Sequence, residues 1–215
     1  MEWVVVVTVS VTTSAKNVDR SSIGRRQRKM QIENKFIIII DGQFDFVRGR
    51  LGSEEAVKVI PNIIRFLDSE ISNDPDVRMY FTKDTHNSDY LGTLEGKYLP
   101  VEHTIINTPG WELIDELKKY EERIRSTTFY KPTFGYTGWM YVGSSSGRGQ
   151  RYDILGFDTD ICVISNALII RAMHPEAEIY VHEDCCAGTT PDRHKAAIEV
   201  MRSCQIHIMR NGKEV

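Results

Sequence analysis

Apolar residues along the chain fall into short unbroken runs, separated by longer stretches in which they recur every three or four positions. Phe36-Ile37-Ile38-Ile39-Ile40 is the clearest run and predicts a strand buried on both faces of a parallel sheet. From Ser53 the period changes. Val57, Ile60, Ile63, Ile64 and Leu67 fall on one helical face, with Glu54 and Glu55 behind a capping serine. Pro61 is expected to bend that helix or end it early. Further along, strands are predicted at 77–82, 124–130, up to Phe157, at 178–182 and at 206–209. Helices are predicted at 111–120, from Cys162 to Met173, and at 190–203, where Pro191 suits the first turn. Residues 87–109 read as loop. The alternation predicts an α/β fold, three layers α/β/α, with a mainly parallel sheet of about six strands and right-handed crossovers.

Two stretches break this pattern. Residues 1–34 stand apart as an N-terminal extension expected to be loosely ordered, and residues 35–215 carry the single domain. Trp3 to Val11 is apolar but far shorter than the roughly 20 residues that span a bilayer. It also lacks the basic start of a signal peptide, because Glu2 precedes it and Arg20, Arg25, Arg26, Arg28 and Lys29 follow. Met30 is an alternative start, and a degenerate targeting segment is the other reading. Gly143-Ser-Ser-Ser-Gly-Arg-Gly149 has the composition of a flexible linker.

Composition narrows the partners. A formal net charge of −3 gives no electrostatic reason to expect nucleic acid or an anionic membrane. The four cysteines, at 162, 185, 186 and 204, follow neither zinc-finger nor disulfide spacing, which points to a reducing, cytoplasmic setting. A small molecule is the expected partner, with a homo-oligomer possible.

In parallel sheets ligands bind beyond the carboxyl ends of the strands. Asp41 ends the first predicted strand, Asp84 and His86 the second and Lys131 the third, while Cys162 follows the fourth. Cys162 falls in the first turn of a helix that Thr159 or Asp160 can cap. There the helix dipole favours a thiolate, and free N–H groups can hold an oxyanion. Taken singly, each residue has a plain structural reading; four reactive strand ends on one rim do not.

The same residues resemble a family. Ile39-Ile40-Asp41-Gly42-Gln43-Phe44-Asp45-Phe46, Thr82-Lys83-Asp84-Thr85-His86, Leu99-Pro100-Val101-Glu102-His103, Lys131-Pro132-Thr133-Phe134-Gly135 and Thr159-Asp160-Ile161-Cys162-Val163 resemble motifs of the isochorismatase-like cysteine hydrolases. Glu183 to Gly188, with His194 and Ala197, extends the match, and the nicotinamidase-related group is the most similar. The resemblance implies a catalytic triad of Asp41, Lys131 and Cys162. It implies an oxyanion hole from the backbone of Asp158 and Cys162, turned by a cis peptide at Phe157–Asp158. It also implies one divalent ion, Zn, Mn or Fe, on Asp84, His86 and His103; two residues apart at a strand end, Asp84 and His86 face the same side. Cys162 argues against the isochorismatase branch itself, which lacks that nucleophile. Phe46 and Tyr90 read as walls for an aromatic substrate, or as core. The implied activity is hydrolysis of a small amide, nicotinamide first. An N-carbamoyl compound or ureide is the alternative, and a non-catalytic small-molecule binder the third reading. Asp158 departs from the family by placing a carboxylate four residues before the nucleophile, where an extended chain is expected to turn it outward.

Overall fold

Strand β1 (Asn34–Ile40) is the centre of the sheet, and its isoleucines are fully buried as the apolar run predicts. The structure is a computed structural model and describes residues 32–215; the predicted extension, up to residue 31, lies outside the described residues. Around β1 lie β2 (Arg78–Asp84), β3 (Ser126–Lys131), β4 (Gln150–Phe157), β5 (Glu178–Ala187), β6 (His207–Arg210) and β7 (Lys213–Glu214). Among the described residues they form one sheet in the order β3-β2-β1-β4-β5-β6-β7. Strands β1 to β6 are parallel, and only the two-residue β7 runs antiparallel, a short addition to the six predicted strands. Helices pack on the sheet to give the three-layer α/β/α arrangement. No helix among the described residues is long and apolar enough to cross a membrane.

The strand order reverses between β1 and β4, so the crevice that such sheets use for ligands opens beyond the ends of these two strands. Asp41 follows β1, and Cys162 lies just past β4. At the neighbouring pair, the parallel register sets Asp84 directly beside Lys131. Gly156 lets β1 and β4 approach this closely: at φ +123° a Cβ there would lie 2.0 Å from the Ile40 carbonyl oxygen.

Several local expectations differ from the structure. After α1 (Phe44–Val47), helix α2 (Glu54–Asn73) runs through Pro61 without ending. Ser53 caps it by accepting the Ala56 N–H, and Ile60, Ile63 and Leu67 bury one continuous stripe on both sides of the proline. That burial outweighs one missing backbone hydrogen bond at an exposed position. Val57, expected inward, is largely exposed. The predicted loop 87–109 holds α3 (Leu94–Tyr98), capped by the Thr93 side chain, while α4 (Asp115–Glu121) starts later than the sequence implied. The Gly/Ser stretch is no free linker. It is tied to the end of α5 (Ile164–Met173): the Ser144 carbonyl meets His174 Nδ1 at 2.9 Å, and the Ser146 carbonyl accepts the Glu176 N–H. Its glycines are there for close packing, since a Cβ on Gly147 would lie 2.7 Å from that of His174. The last helix, α6 (Pro191–Ser203), matches its prediction, with Thr190 as cap and Pro191 in the first turn.

Away from the crevice, Asp153 on β4 is fully buried and held by Arg151 through two 2.7 Å bonds and by His182 Nε2 at 2.7 Å. Burial alone would raise its carboxyl, but the bonds from His182 and Arg151 hold it down at about 2. Because the folded value lies below the unfolded one, this stabilisation is present above pH ~4 and is lost as pH falls towards 2. Asp153→Ala leaves the Arg151 guanidinium and the buried His182 ring without their acceptor and is expected to cost about 3–5 kcal/mol in urea unfolding at neutral pH. A loss below about 1 kcal/mol would mean that solvent already screens the cluster.

Candidate active site

Three buried polar side chains meet at the switch point. Asp41, in a left-handed conformation at φ 48°, ends β1; its N–H is held by the Thr82 carbonyl at 3.1 Å. The Thr82 hydroxyl donates to Asp41 Oδ1 at 2.7 Å. Asp41 Oδ2 has no hydrogen-bond donor of good geometry and lies 2.7 Å from Lys131 Nζ. The same ammonium is 3.5 Å from Cys162 Sγ and 3.5 Å from Asp84 Oδ1. The structure therefore brings together Asp41, Lys131 and Cys162 from β1, β3 and the turn after β4.

Burial disfavours every charge in this group, and the charges answer one another. Burial pulls the Lys131 ammonium down, yet Asp41, Cys162 and Asp84 around it hold it well above the ordinary lysine range. Burial pushes the Asp41 carboxyl up, and Lys131 offsets this only in part. Burial likewise pushes the Cys162 thiol well up against the pull of Lys131. This corrects the expectation of a resting thiolate. The proton stays on sulfur, beside a carboxylate whose own affinity for protons is raised.

The turn carrying Cys162 is wider than an α-turn. Thr159–Val163 forms one π turn before α5 begins, and the carbonyl of Asp158 accepts the N–H groups of Ile161 and Val163. The Phe157–Asp158 peptide is cis, as the resemblance implied. Neither predicted cap serves the helix. The Thr159 hydroxyl sits 2.8 Å from His194 Nδ1, and Asp160 instead accepts the N–H and hydroxyl of Thr189 at 2.8 and 2.6 Å. Both anchor the turn to the start of α6. Asn166, which sequence reasoning missed, completes the anchoring: its Nδ2 donates to the Cys162 carbonyl at 2.8 Å, and its Oδ1 accepts from Tyr136 and Trp139. A buried asparagine one turn after the nucleophile was the available signal.

Beside the triad, Asp84, His86 and His103 offer ligand atoms within 4.8 Å of one another, all buried. Asp84 Oδ2 is 3.0 Å from His86 Nε2 and 3.5 Å from His103 Nε2. Gln43 pins the backbone of Asp84 from both sides, and Thr104 donates to its carboxylate at 2.9 Å. His103 Nδ1 lies 2.8 Å from the Val101 carbonyl, which keeps the proton there and frees Nε2 for a ligand. His86 Nε2 is buried with no hydrogen-bond partner, as a nitrogen meant for a cation would be. The hydrogen bonds from His103 and His86, with the Lys131 charge, hold the Asp84 carboxyl far below the usual range against its burial. One carboxylate and two such imidazoles fit a divalent ion of the zinc, manganese or iron type. Glu95, not foreseen from the sequence, points Oε1 at the same two Nε2 atoms, 3.7 Å from each. It sits on the short α3 that was read as loop, so no periodic signal marked it.

A cavity of about 1100 Å³ opens over both clusters and includes Phe46, Tyr90, Asp158 and Cys162 in its lining. Phe46 and Tyr90 are buried and also border the cavity; the Tyr90 ring is tilted 4.7 Å from that of His86, and its hydroxyl donates to the Leu99 carbonyl. Asp158 is not turned to solvent, contrary to expectation. Burial, with Asp160 and Asp41 near it, raises its carboxyl to about 7. Asp158 itself keeps extended backbone angles, and it is half-buried at the cavity wall beside Cys162.

Comparison with known proteins follows the same lines. The family model described as the isochorismatase domain matches residues 35–211. No curated protein matches. Among solved structures, the nicotinamidase/pyrazinamidase of Bacillus subtilis is 21% identical, with a TM-score of 0.68, covering 81% of this chain and 98% of its own. Pyrazinamidase of Pyrococcus horikoshii, in complex with zinc, is 24% identical with a TM-score of 0.68, covering 82% and 99%. N-carbamoylsarcosine amidase of Thermoplasma acidophilum is 18% identical with a TM-score of 0.64, covering 84% and 98%. At these identities the likeness is one of fold.

Proposed function

Since this chain belongs to the isochorismatase family of hydrolases, we propose that it cleaves a small amide through a thioester on Cys162. One observation carries the reading: a buried ammonium, Lys131, stands 2.7 Å from the Asp41 carboxylate and 3.5 Å from the sulfur of Cys162, which lines the cavity. The sulfur attacks the amide carbon while its proton passes to Asp41 Oδ2. Lys131 stabilises the charge that develops on sulfur, and the N–H groups of Asp158 and Cys162 receive the carbonyl oxygen as it becomes an oxyanion. The C–N bond then breaks, Asp41 gives its proton to the leaving amine, and ammonia departs. Water attacks the thioester carbon, Asp41 takes the water's proton, the C–S bond breaks, and the proton returns to sulfur as the acid leaves.

Asp84, His86 and His103 would hold a divalent ion, with Glu95 at its edge. Bound there, the ion supplies a Lewis-acid anchor for a lone pair on the substrate. Phe46 and Tyr90 flank the same place and suit a flat ring, which favours nicotinamide-type substrates. A second reading has its own support: the cavity, about 1100 Å³, is larger than the ~300–1,000 Å³ usual for ligand pockets. A single-ring amide leaves much of it empty, so a longer amide or a ureide also fits.

Ammonia release across carboxamides and ureides, with and without a chelator, tests the reading. Purified protein is expected to carry on the order of one divalent ion per chain, and His86→Ala and His103→Ala each to lose most of it. Full metal content in both variants would move the ion elsewhere. Binding of several amides without ammonia from any would make the protein a binder on the same fold.

A further inference from the structure

Among the carboxylates lining the cavity, Asp158 alone is half-buried with neither a hydrogen-bond nor an ion-pair partner among the described residues. Asp84 lies beside two histidines, Lys131 and the Thr104 hydroxyl. Glu95 faces the same two imidazoles, and Asp89 is exposed to water. Asp41, just below the floor, has Lys131 and Thr82, and Asp160, beside it, is satisfied by Thr189. Asp158 caps no helix, and among the described residues neither a hydrogen bond nor an ion pair reaches its side chain. It nevertheless borders the cavity beside Cys162. The carboxylate is half-buried at the cavity wall, so a group that enters the cavity can reach it and displace water from it.

We propose that Asp158 is a specificity-determining residue that receives a positively charged group carried by the substrate close to its scissile carbonyl. The proposal rests on the amide-hydrolysis reading and narrows it to amides bearing a protonated or quaternary amine.

The charges around the carboxylate set what can neutralise it. Asp41 and Asp160 repel its negative charge, and His103 is the group that relieves it. The rest of the cavity is largely apolar, with Leu51, Leu94, Leu99, Phe134 and Ile161 among its lining residues. Apolar walls around one unpaired carboxylate are the environment in which a substrate cation gains most, because Coulomb attraction strengthens as water is displaced. Burial, with the Asp160 and Asp41 charges near it, raises this carboxyl to about 7, the direction that a positive charge beside it would offset. A substrate cation also removes a disadvantage for the chemistry. An ionised Asp158 facing a neutral amide opposes the oxyanion forming next to it, whereas a neutralised one does not.

The test is a matched pair of primary amides, one with a trimethylammonio group and one with its neutral tert-butyl isostere, at several equal spacer lengths. Ammonia release by the metal-loaded enzyme gives kcat/KM for each. At the best spacer the wild type is expected to favour the cation by tenfold or more. In Asp158→Asn and Asp158→Ala that ratio should fall to near one. A wild-type ratio near one, or one that persists in Asp158→Asn, overturns the assignment. If neither amide of the pair nor any of the carboxamides and ureides releases ammonia, the hydrolysis reading has failed, and calorimetric binding of the pair to wild type then decides the charge preference alone. Should both variants fail to fold, the wild-type ratio decides.

Discussion

Cys162→Ala is expected to lower amide hydrolysis by about 10⁴-fold or more while leaving the fold intact. The sulfur is the group that forms the bond to substrate, and methyl in its place can neither attack nor hold an acyl group. Stability should change little, because the exchange removes one buried atom and leaves the Lys131–Asp41 pair, at 2.7 Å, in place. Two measurements separate loss of the nucleophile from loss of the fold. Thermal unfolding of the variant should lie within a few degrees of wild type, and mass spectrometry of rapidly quenched wild type should show an acyl mass on the peptide containing Cys162. An acyl mass on Cys185, Cys186 or Cys204, or activity in Cys162→Ala within tenfold of wild type, would move the nucleophile. Reactivity should also depend on substrate. Since burial keeps the thiol protonated, free enzyme should alkylate slowly at neutral pH despite its nucleophile, and Cys204, half-buried, should react first with bulky reagents.

That last expectation reverses what the sequence alone implied, and the reason is physical. A helix terminus and a nearby lysine are legible in sequence, and both favour a thiolate. The depth of the site is not, and here desolvation is the larger effect. The central strands were legible because an unbroken β-branched run has one plausible environment, and β1 is buried as expected. Residues on parallel strand ends must share a rim, so Asp41, Asp84, His86 and Lys131 met as predicted. Groups that depend on how loops fold against the rim escaped notice: Glu95 on a five-residue helix, Asn166 bridging three segments, and the inward turn of Asp158. Composition misled at 143–149, where Gly143 and Gly147 hold positive φ angles and pack closely instead of forming a free linker.

Lys131→Met is expected to reduce activity about 10²–10⁴-fold and also to destabilise the protein by about 3–5 kcal/mol, a double effect that Cys162→Ala should lack. The ammonium is 1% exposed and stands between Asp41, Asp84 and the sulfur, so no water replaces it when it is removed. Asp41 already has its proton affinity raised by burial, and Lys131 is the strongest influence holding it down. Without the lysine, Asp41 keeps its proton at neutral pH and cannot take the one on Cys162. The sign of the pH dependence follows. In the variant the folded state holds a proton that the unfolded chain, with an ordinary carboxyl near 4, has released. Its stability therefore falls as pH rises from about 4 through the raised folded value, so the deficit against wild type should be smaller at pH 5 than at pH 8. Asp41→Asn added to Lys131→Met removes the buried carboxyl that must take up a proton on folding. The double variant should regain most of the lost stability in urea unfolding and none of the activity. A double variant no more stable than Lys131→Met would show that the ammonium does not act through Asp41, and the triad would have to be drawn without it.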